Sequence, residues 1–351
     1  MACWTEWDPL EEVIVGDCFK YEDLGWTLPD STASKFKLIL EETKEDLDNL
    51  SAYLSKMGVK VHRPKPKINE QNIKIAGFDI RLATAPIVPR DQYLVYGETV
   101  YQTHTSMPDR YLDSLSYYEI FLELFKQGHN WLSQPLPELI NFENNDWHLY
   151  GEDFYKTKYA DKLLWHTACM FKYGDSLLSN TSPGSALGLE WMRRNTSHEI
   201  ITQDKFGHID HGFFSVDDNT IICDTKDWVP SALSDKNIYA VSILLGERRD
   251  FDKYVEQKAN NKEVISDKWM DYWLNEWKGY FQDVCFNFNP LVVDPNNIIF
   301  STPQPRVFKL LDSLGINSHV CPLRHGPFWE AGIHCVTLDI KRKGTCRKII
   351  N

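Results

Sequence analysis

The feature that most constrains this chain is a repeated order of elements. Residues 47–66, LDNLSAYLSKMGVKVHRPKP, place Leu47, Leu50, Leu54 and Met57 at helical spacing, end the helix at Gly58, and close a short strand at Pro64. Residues 117–137 repeat that order around Gly128 and Pro135, and residues 305–323 repeat it around Gly315 and Pro322. Residues 187–203 do so with Asn195 near the turn. Hairpin-like stretches precede these helices: DQYLVYGETVYQT at 91–103, GFFSVDDNTIICDT at 212–225, PLVVDPNNIIFST at 290–302, and a weaker version, GDSLLSNTSPGS, at 174–185. EEVIVGDC at 11–18 is expected to supply the strands for the first helix. The result is about five units of two strands, a helix and a strand. Small mixed units whose sheets stack around an axis predict an α/β propeller. An ordinary α/β domain with alternating elements is the other reading.

Two segments break the rhythm. Residues 246–281 are long, charged and Trp-rich and are expected to contain helices; residues 135–162 form a second long aromatic connection. No low-complexity tract or flexible linker appears, so residues 1–351 read as one domain.

Composition narrows the partners. A 42% apolar content with 12 Trp, 16 Tyr and 18 Phe supports a large core. A net charge of −12 argues against a nucleic-acid backbone or an anionic membrane as partner. There is no run of 18 apolar residues and no basic, apolar leader at the start, so a cytoplasmic protein is expected. The eight cysteines are scattered without a CxxC pair, which argues against a zinc-finger site and a disulfide framework.

Three places carry chemistry. His208, Asp210 and His211 crowd together in FGHIDHGFFSVDD, residues 206–218. On a strand, His208 and Asp210 would share a face and could act as base and carboxylate, or form a hydrogen-bonded strand-end pair. HxDH also suggests metal ligands, but no third well-spaced ligand accompanies it. Asp91 follows Pro89 and Arg90 at the start of an expected strand, a pattern also common in turns. Cys335 lies in GIHCVTLDIKRKG, residues 332–344, where burial is the ordinary fate of a cysteine. Strand alternation would turn the neighbouring His334 to the opposite face, so a base brought in by the fold, such as His208, is the better partner.

EWDPLEEVIVG (6–16), PRDQYLVYGETV (89–100), LGLEWMRR (187–194), HIDHGFF (208–214) and the Cys335 segment together resemble the arginine:glycine amidinotransferases and their inosamine-phosphate and cyanotoxin-pathway relatives. The five blocks keep their order across the chain. The resemblance implies the five-bladed α/β propeller of guanidine-modifying enzymes. It implies Cys335 as the nucleophile on an arginine-like guanidine donor, with formation of an amidino-cysteine. It implies His208 as the group that protonates the leaving amine and then deprotonates the amine acceptor. It also implies Asp91 and Asp210 as the carboxylates that hold the planar cation; Glu330, which adds a carboxylate close to Cys335, and Asn287 are placed with them in the expected substrate-binding set. The substrates are small molecules, no metal and no organic cofactor are expected, and a homodimer is left open.

The chain departs from the family pattern at three points. His166 stands where an acidic residue would orient the catalytic histidine. Residues 330–332 read Glu-Ala-Gly where the family has three glycines. The arginine that grips the donor carboxylate has no counterpart in residues 224–233, where Lys226 or Trp228 stand instead. Two further readings are a hydrolase of the same fold, in which water replaces the acceptor, and a silent relative that binds a guanidino ligand or a protein.

Overall fold

The computed structural model describes residues 2–23, 30–66, 73–75, 78–80, 85–105, 110–111, 113–138, 160–182, 184–242 and 288–350. Residues 246–281 and most of residues 135–162, the two long connections, lie outside them, as does Asn287.

Helix α1 (Asp30–Lys56) lies between strands β1 (Leu10–Val15) and β2 (Lys60–His62), and begins well before residue 47. Phe36, Leu40, Leu47, Leu50 and Leu54 form its buried stripe, at the three-to-four spacing of one helix face. A short hairpin, β3 (Ile73–Ile75) and β4 (Phe78–Ile80), follows. The second unit is β5 (Tyr93–Tyr96), β6 (Thr99–Gln102), α2 (Tyr118–Lys126) and β7 (Asn130–Ser133). The third is β8 (Met170–Tyr173), β9 (Ser176–Ser182), α3 (Ala186–Asn195) and β10 (Glu199–Phe206). Its hairpin therefore turns at Gly174, earlier than the sequence stretch 174–185 suggests. The fourth unit is β11 (Phe213–Ser215), β12 (Thr220–Cys223) and β13 (Asn237–Ala240). The fifth is β14 (Leu291–Asp294), β15 (Asn297–Phe300), α4 (Pro305–Ser313) and β16 (Asn317–Val320). A one-turn helix α5 (Gly326–Trp329) and the last strand β17 (Thr337–Arg342) end the chain.

Among the described residues, five three-stranded sheets share one plan: the middle strand has an antiparallel neighbour on one side and a parallel one on the other. A parallel neighbour needs a crossover. Helices supply it in four units. In the fourth, two single 3-10 turns, Lys226–Trp228 and Ser231–Leu233, do so, and the expected helix is missing there. The first unit also differs from expectation. EEVIVGDC gives only β1, and the second strand is β17 from the far end of the chain. This pairing closes the five-bladed α/β propeller.

Closure also places the site. Gly16, just after β1, donates its N–H to the Val336 carbonyl at 2.8 Å, beside Cys335. A Cβ on Gly16 would come within 1.9 Å of the Ile87 carbonyl oxygen, in the loop that leads to Asp91. Only glycine lets these three segments meet. Gly16→Ala is expected to cost about 1–3 kcal/mol in urea unfolding, because backbone rather than a flexible side chain must move. An unchanged midpoint would contradict this packing.

Candidate active site

In none of the three stretches do the chemistry-bearing residues sit on a strand. Cys335 lies in a turn immediately before β17. Asp91 ends the 3-10 turn Pro89–Asp91, and His208 caps the turn Ile209–His211, which contains Asp210. Turns do not alternate faces, so strand periodicity misplaces His334. Its Nδ1 lies 2.6 Å from Asp210 Oδ2, and that same oxygen is 3.7 Å from Cys335 Sγ. His334 Nε2 reaches Glu6 Oε2 at 3.3 Å. His334 is thus one contact from the nucleophile, on the Asp210 side.

The fold brings together four of the expected residues and adds others. Donor atoms of His208, Asp210, His211 and Cys335 all lie within 4.8 Å of one another. That spacing admits a metal ion as well as a planar cation such as a guanidinium. His166 joins them, with its ring centroid 6.3 Å from that of His208. Asp91 is electrostatically coupled to both histidines and to the Cys335 thiol. The Thr167 hydroxyl donates to the Arg90 carbonyl at 2.7 Å, fixing the His166 turn against the Asp91 turn.

Three residues that the sequence reading missed hold these turns. Asn289, buried at 1% exposure, accepts from the Cys335 N–H at 2.9 Å through Oδ1 and donates from Nδ2 to the Asp210 carbonyl at 3.2 Å. Among the described residues it is the asparagine that touches Cys335. Arg90 donates from Nε to the carbonyls of His334 and Thr337 at 3.1 and 3.2 Å. Arg110 bridges Asp91 and Asp113 at 2.7 and 3.0 Å, setting the Asp91 carboxylate. An arginine or asparagine in a loop carries no periodic signal, so none of the three stands out in sequence.

Trp228 packs on the Asp210 turn. A Cβ on Gly212 would meet its indole at 2.3 Å, so glycine makes room for the ring there. Lys226, the other candidate for the donor carboxylate, is exposed. Glu330 is half-buried at the end of α5 in the left-handed region, φ +52°. The carboxylates that act most on the thiol are Asp210 and Asp91. A non-glycine residue there is strained, so Glu330→Gly is expected to raise unfolding stability by about 1 kcal/mol; a lower stability would show that the side chain's contacts outweigh the strain.

Electrostatics separate the roles. Burial pushes the Cys335 thiol well up, and the Asp210 and Asp91 charges push it further. Burial also opposes ionisation of Asp210, but the His334 hydrogen bond and the neighbouring imidazoles outweigh it and hold its carboxyl well below the usual range. Asp91 is likewise held low, by Arg110 and His208 against burial. His166 and His211 go the other way, brought down to about 4 by burial, despite the opposing pull of Asp91 and Asp210 respectively.

The histidine shifts have a sign that can be checked. Below the ordinary histidine value the unfolded chain takes a proton on each ring, while the native protein does not until about pH 4. Unfolding therefore becomes easier as pH falls through that window, by roughly 3 kcal/mol per imidazole at the lower end. Denaturation midpoints should already fall between about pH 6.5 and 5.5, above the range in which ordinary carboxylates protonate; a flat profile there would contradict neutral rings.

Comparison with known proteins follows the same lines. No protein-family model matches the chain. Inosamine-phosphate amidinotransferase 1 of Streptomyces griseus is 27% identical over 364 residues, covering 96% of each chain. Mitochondrial glycine amidinotransferase of Danio rerio is 23% identical, over 97% of this chain and 82% of its own. L-arginine:L-lysine amidinotransferase of Pseudomonas savastanoi pv. phaseolicola is 22% identical over 98% and 95%. Among solved structures, the S. griseus inosamine-phosphate amidinotransferase superposes with a TM-score of 0.72 at 22% identity, over 100% of this chain and 99% of that one. SxtG, an amidinotransferase from Microseira wollei, gives 0.72 at 20% identity, covering 99% of each chain. DDAH from Pseudomonas aeruginosa gives 0.54 at 12% over 94% and 99%, a likeness of fold. Curated amidinotransferases thus match this chain from end to end at 22–27% identity, and solved amidinotransferases share its propeller fold.

Proposed function

We propose that the protein moves an amidino group from arginine, or a related guanidine, to an amine acceptor through an amidino-cysteine on Cys335. The carrying observation is the surroundings of its sulfur. A carboxylate, Asp210, lies 3.7 Å away, and its second oxygen, Oδ1, is buried with no hydrogen-bond partner among the described residues. A buried carboxylate oxygen left open is costly. A planar cation donating to it would lie against Sγ, held by the charge-assisted hydrogen bonds it donates to Asp210 on one side and to Asp91 on the other.

The same carboxylates couple activation to binding. In the empty site they keep the thiol protonated. A bound guanidinium offsets their charge and brings the thiol down, so the thiolate forms where its electrophile already sits. Attack on the guanidinium carbon forms the S–C bond, and the C–N bond to the leaving amine breaks as His208 protonates that nitrogen. The acceptor amine then gives a proton to His208, attacks the amidino carbon and releases the sulfur. His166, neutral at physiological pH, can hold the His208 ring by hydrogen bonding without adding a fixed charge. Closure of β1 on β17 supports reading the whole chain as one functional unit.

Water in place of the acceptor would make a hydrolase. End-to-end likeness to transferases favours transfer, since the hydrolase likeness is one of fold. Intact-mass spectrometry after mixing the protein with arginine, without acceptor, tests the reading beside a Cys335→Ala control. Gain of one amidino group with ornithine release, absent from the control, is expected. Turnover without added amine to urea and ornithine, or to citrulline and ammonia, would replace transfer by hydrolysis. Neither product would remove arginine as the donor.

A further inference from the structure

The sulfur has a histidine that the family mechanism does not use. His211 Nε2 lies 3.6 Å from Cys335 Sγ, within hydrogen-bond reach of a thiol. His208 makes no hydrogen bond to that sulfur among the described residues, and its Nδ1 is without a partner. The His208 ring centroid lies 5.3 Å from that of His211 and 6.3 Å from that of His166. Resting on the amidino-transfer reading, we infer that His211 is the base for the Cys335 thiol, which leaves His208 to exchange protons with the two amines.

The proton count closes with this division. In the first half-reaction the Sγ proton passes to His211 Nε2, the S–C bond forms, the C–N bond breaks, and a proton already on His208 goes to the leaving nitrogen. The enzyme then carries the amidino group, a protonated His211 and a neutral His208. In the second half-reaction the acceptor's proton goes to His208, the C–N bond to the acceptor forms, the S–C bond breaks, and His211 returns its proton to the sulfur. Both histidines end as they began, and no solvent proton is needed. A single histidine would have to take the thiol proton and reach the leaving nitrogen with it.

The surroundings suit these roles. The groups that face His211 are Asp210, His208, Asp91 and His334. Burial keeps its ring neutral in the empty site, so it has a lone pair to offer. Once it is protonated, the Asp210 carboxylate, with Oδ1 3.9 Å from Nε2, stabilises the imidazolium.

Donors that differ in their need for a proton separate the two roles. Arginine must have its leaving nitrogen protonated. S-methylisothiourea deposits the same amidino group but releases methanethiol, which leaves without prior protonation. The rate of amidino-enzyme formation, followed by rapid quench and intact mass, is compared for wild type, His208→Asn and His211→Asn. With arginine, both variants should slow by about 100-fold or more. With S-methylisothiourea, His208→Asn should recover to near the wild-type rate, while His211→Asn stays slow at neutral pH and recovers in alkali, where hydroxide ionises the thiol. The opposite pattern, His211→Asn recovering and His208→Asn not, would overturn the assignment. Iodoacetamide alkylation of Cys335 reads His211 without any amidino transfer. A rate about tenfold lower in His211→Asn at neutral pH supports the assignment, and equal rates in folded protein overturn it. Failure of the wild type to form any adduct would sink the transfer reading separately.

Discussion

Asp210→Asn is expected to abolish amidino transfer while making the Cys335 thiol of the free enzyme more reactive. The two effects have opposite signs because Asp210 acts on two different species. In the empty protein its negative charge is the leading Coulombic reason, after burial, that the thiol resists ionisation. A neutral amide removes that obstacle, so alkylation by iodoacetamide at mildly alkaline pH should quicken. In the proposed complex the same charge would bind and orient the guanidinium through Oδ1. The amide cannot offset the cation, and one of its terminal atoms is a donor facing donors. It also disturbs the His334 contact at 2.6 Å, turning a charge-assisted hydrogen bond into a neutral one. Loss of one buried charged partner costs about 2–5 kcal/mol, and misplacement of the carbon adds to it, so kcat/KM should fall by roughly 1,000-fold or more. Steady-state kinetics and alkylation rates on one preparation give both numbers. A parallel fall in both would mean that Asp210 supports the turn rather than the cation.

The sequence exposes the propeller and part of the site unevenly. Hairpins and helix–glycine–strand runs are local patterns, and most of those within the described residues form; residues 174–185 supply one strand of a hairpin that starts earlier, and EEVIVGDC supplies one strand where two are expected. The β1–β17 pairing is not local: it joins residues more than 320 positions apart, and no spacing announces it. Cys335, His208, Asp210 and Asp91 are visible through the blocks that resemble known enzymes. The contacts among them are not, because three 3-10 or irregular turns replace the strands that alternation assumes. His334 is therefore misjudged as pointing away, and Asn289, Arg90 and Arg110 go unremarked. His211 is visible as part of a cluster, but its place beside the sulfur follows only from the turn.

Asp339→Ala should be the most destabilising single change in the molecule. Asp339 on β17 is fully buried and faces three buried cations: Arg90 Nη2 at 3.1 Å, Lys172 Nζ at 3.2 Å and Arg342 Nε at 2.8 Å. Glu6 is the other anion that meets Arg90 and Lys172, at 3.5 and 3.2 Å. Without Asp339, three cations remain in low dielectric with one carboxylate between two of them. Breaking a buried ion pair from one side costs about 3–5 kcal/mol, and a shared anion has more than one pair to break. Set against a typical total stability of about 5–15 kcal/mol, the variant should be marginal or unfolded. Lys172→Met combined with Asp339→Ala removes an uncompensated charge as well as the anion, so it should be more stable than Asp339→Ala alone. Urea unfolding of the two variants decides this, and a double variant weaker than the single would show that Lys172 is held chiefly by Glu6. The consequence reaches the chemistry, because Arg90 holds the carbonyls of His334 and Thr337 on either side of the nucleophile's turn. The charge network that closes the propeller and the turn that aims Cys335 are joined through one guanidinium, so any variant that releases Arg90 should lose activity before it loses its fold.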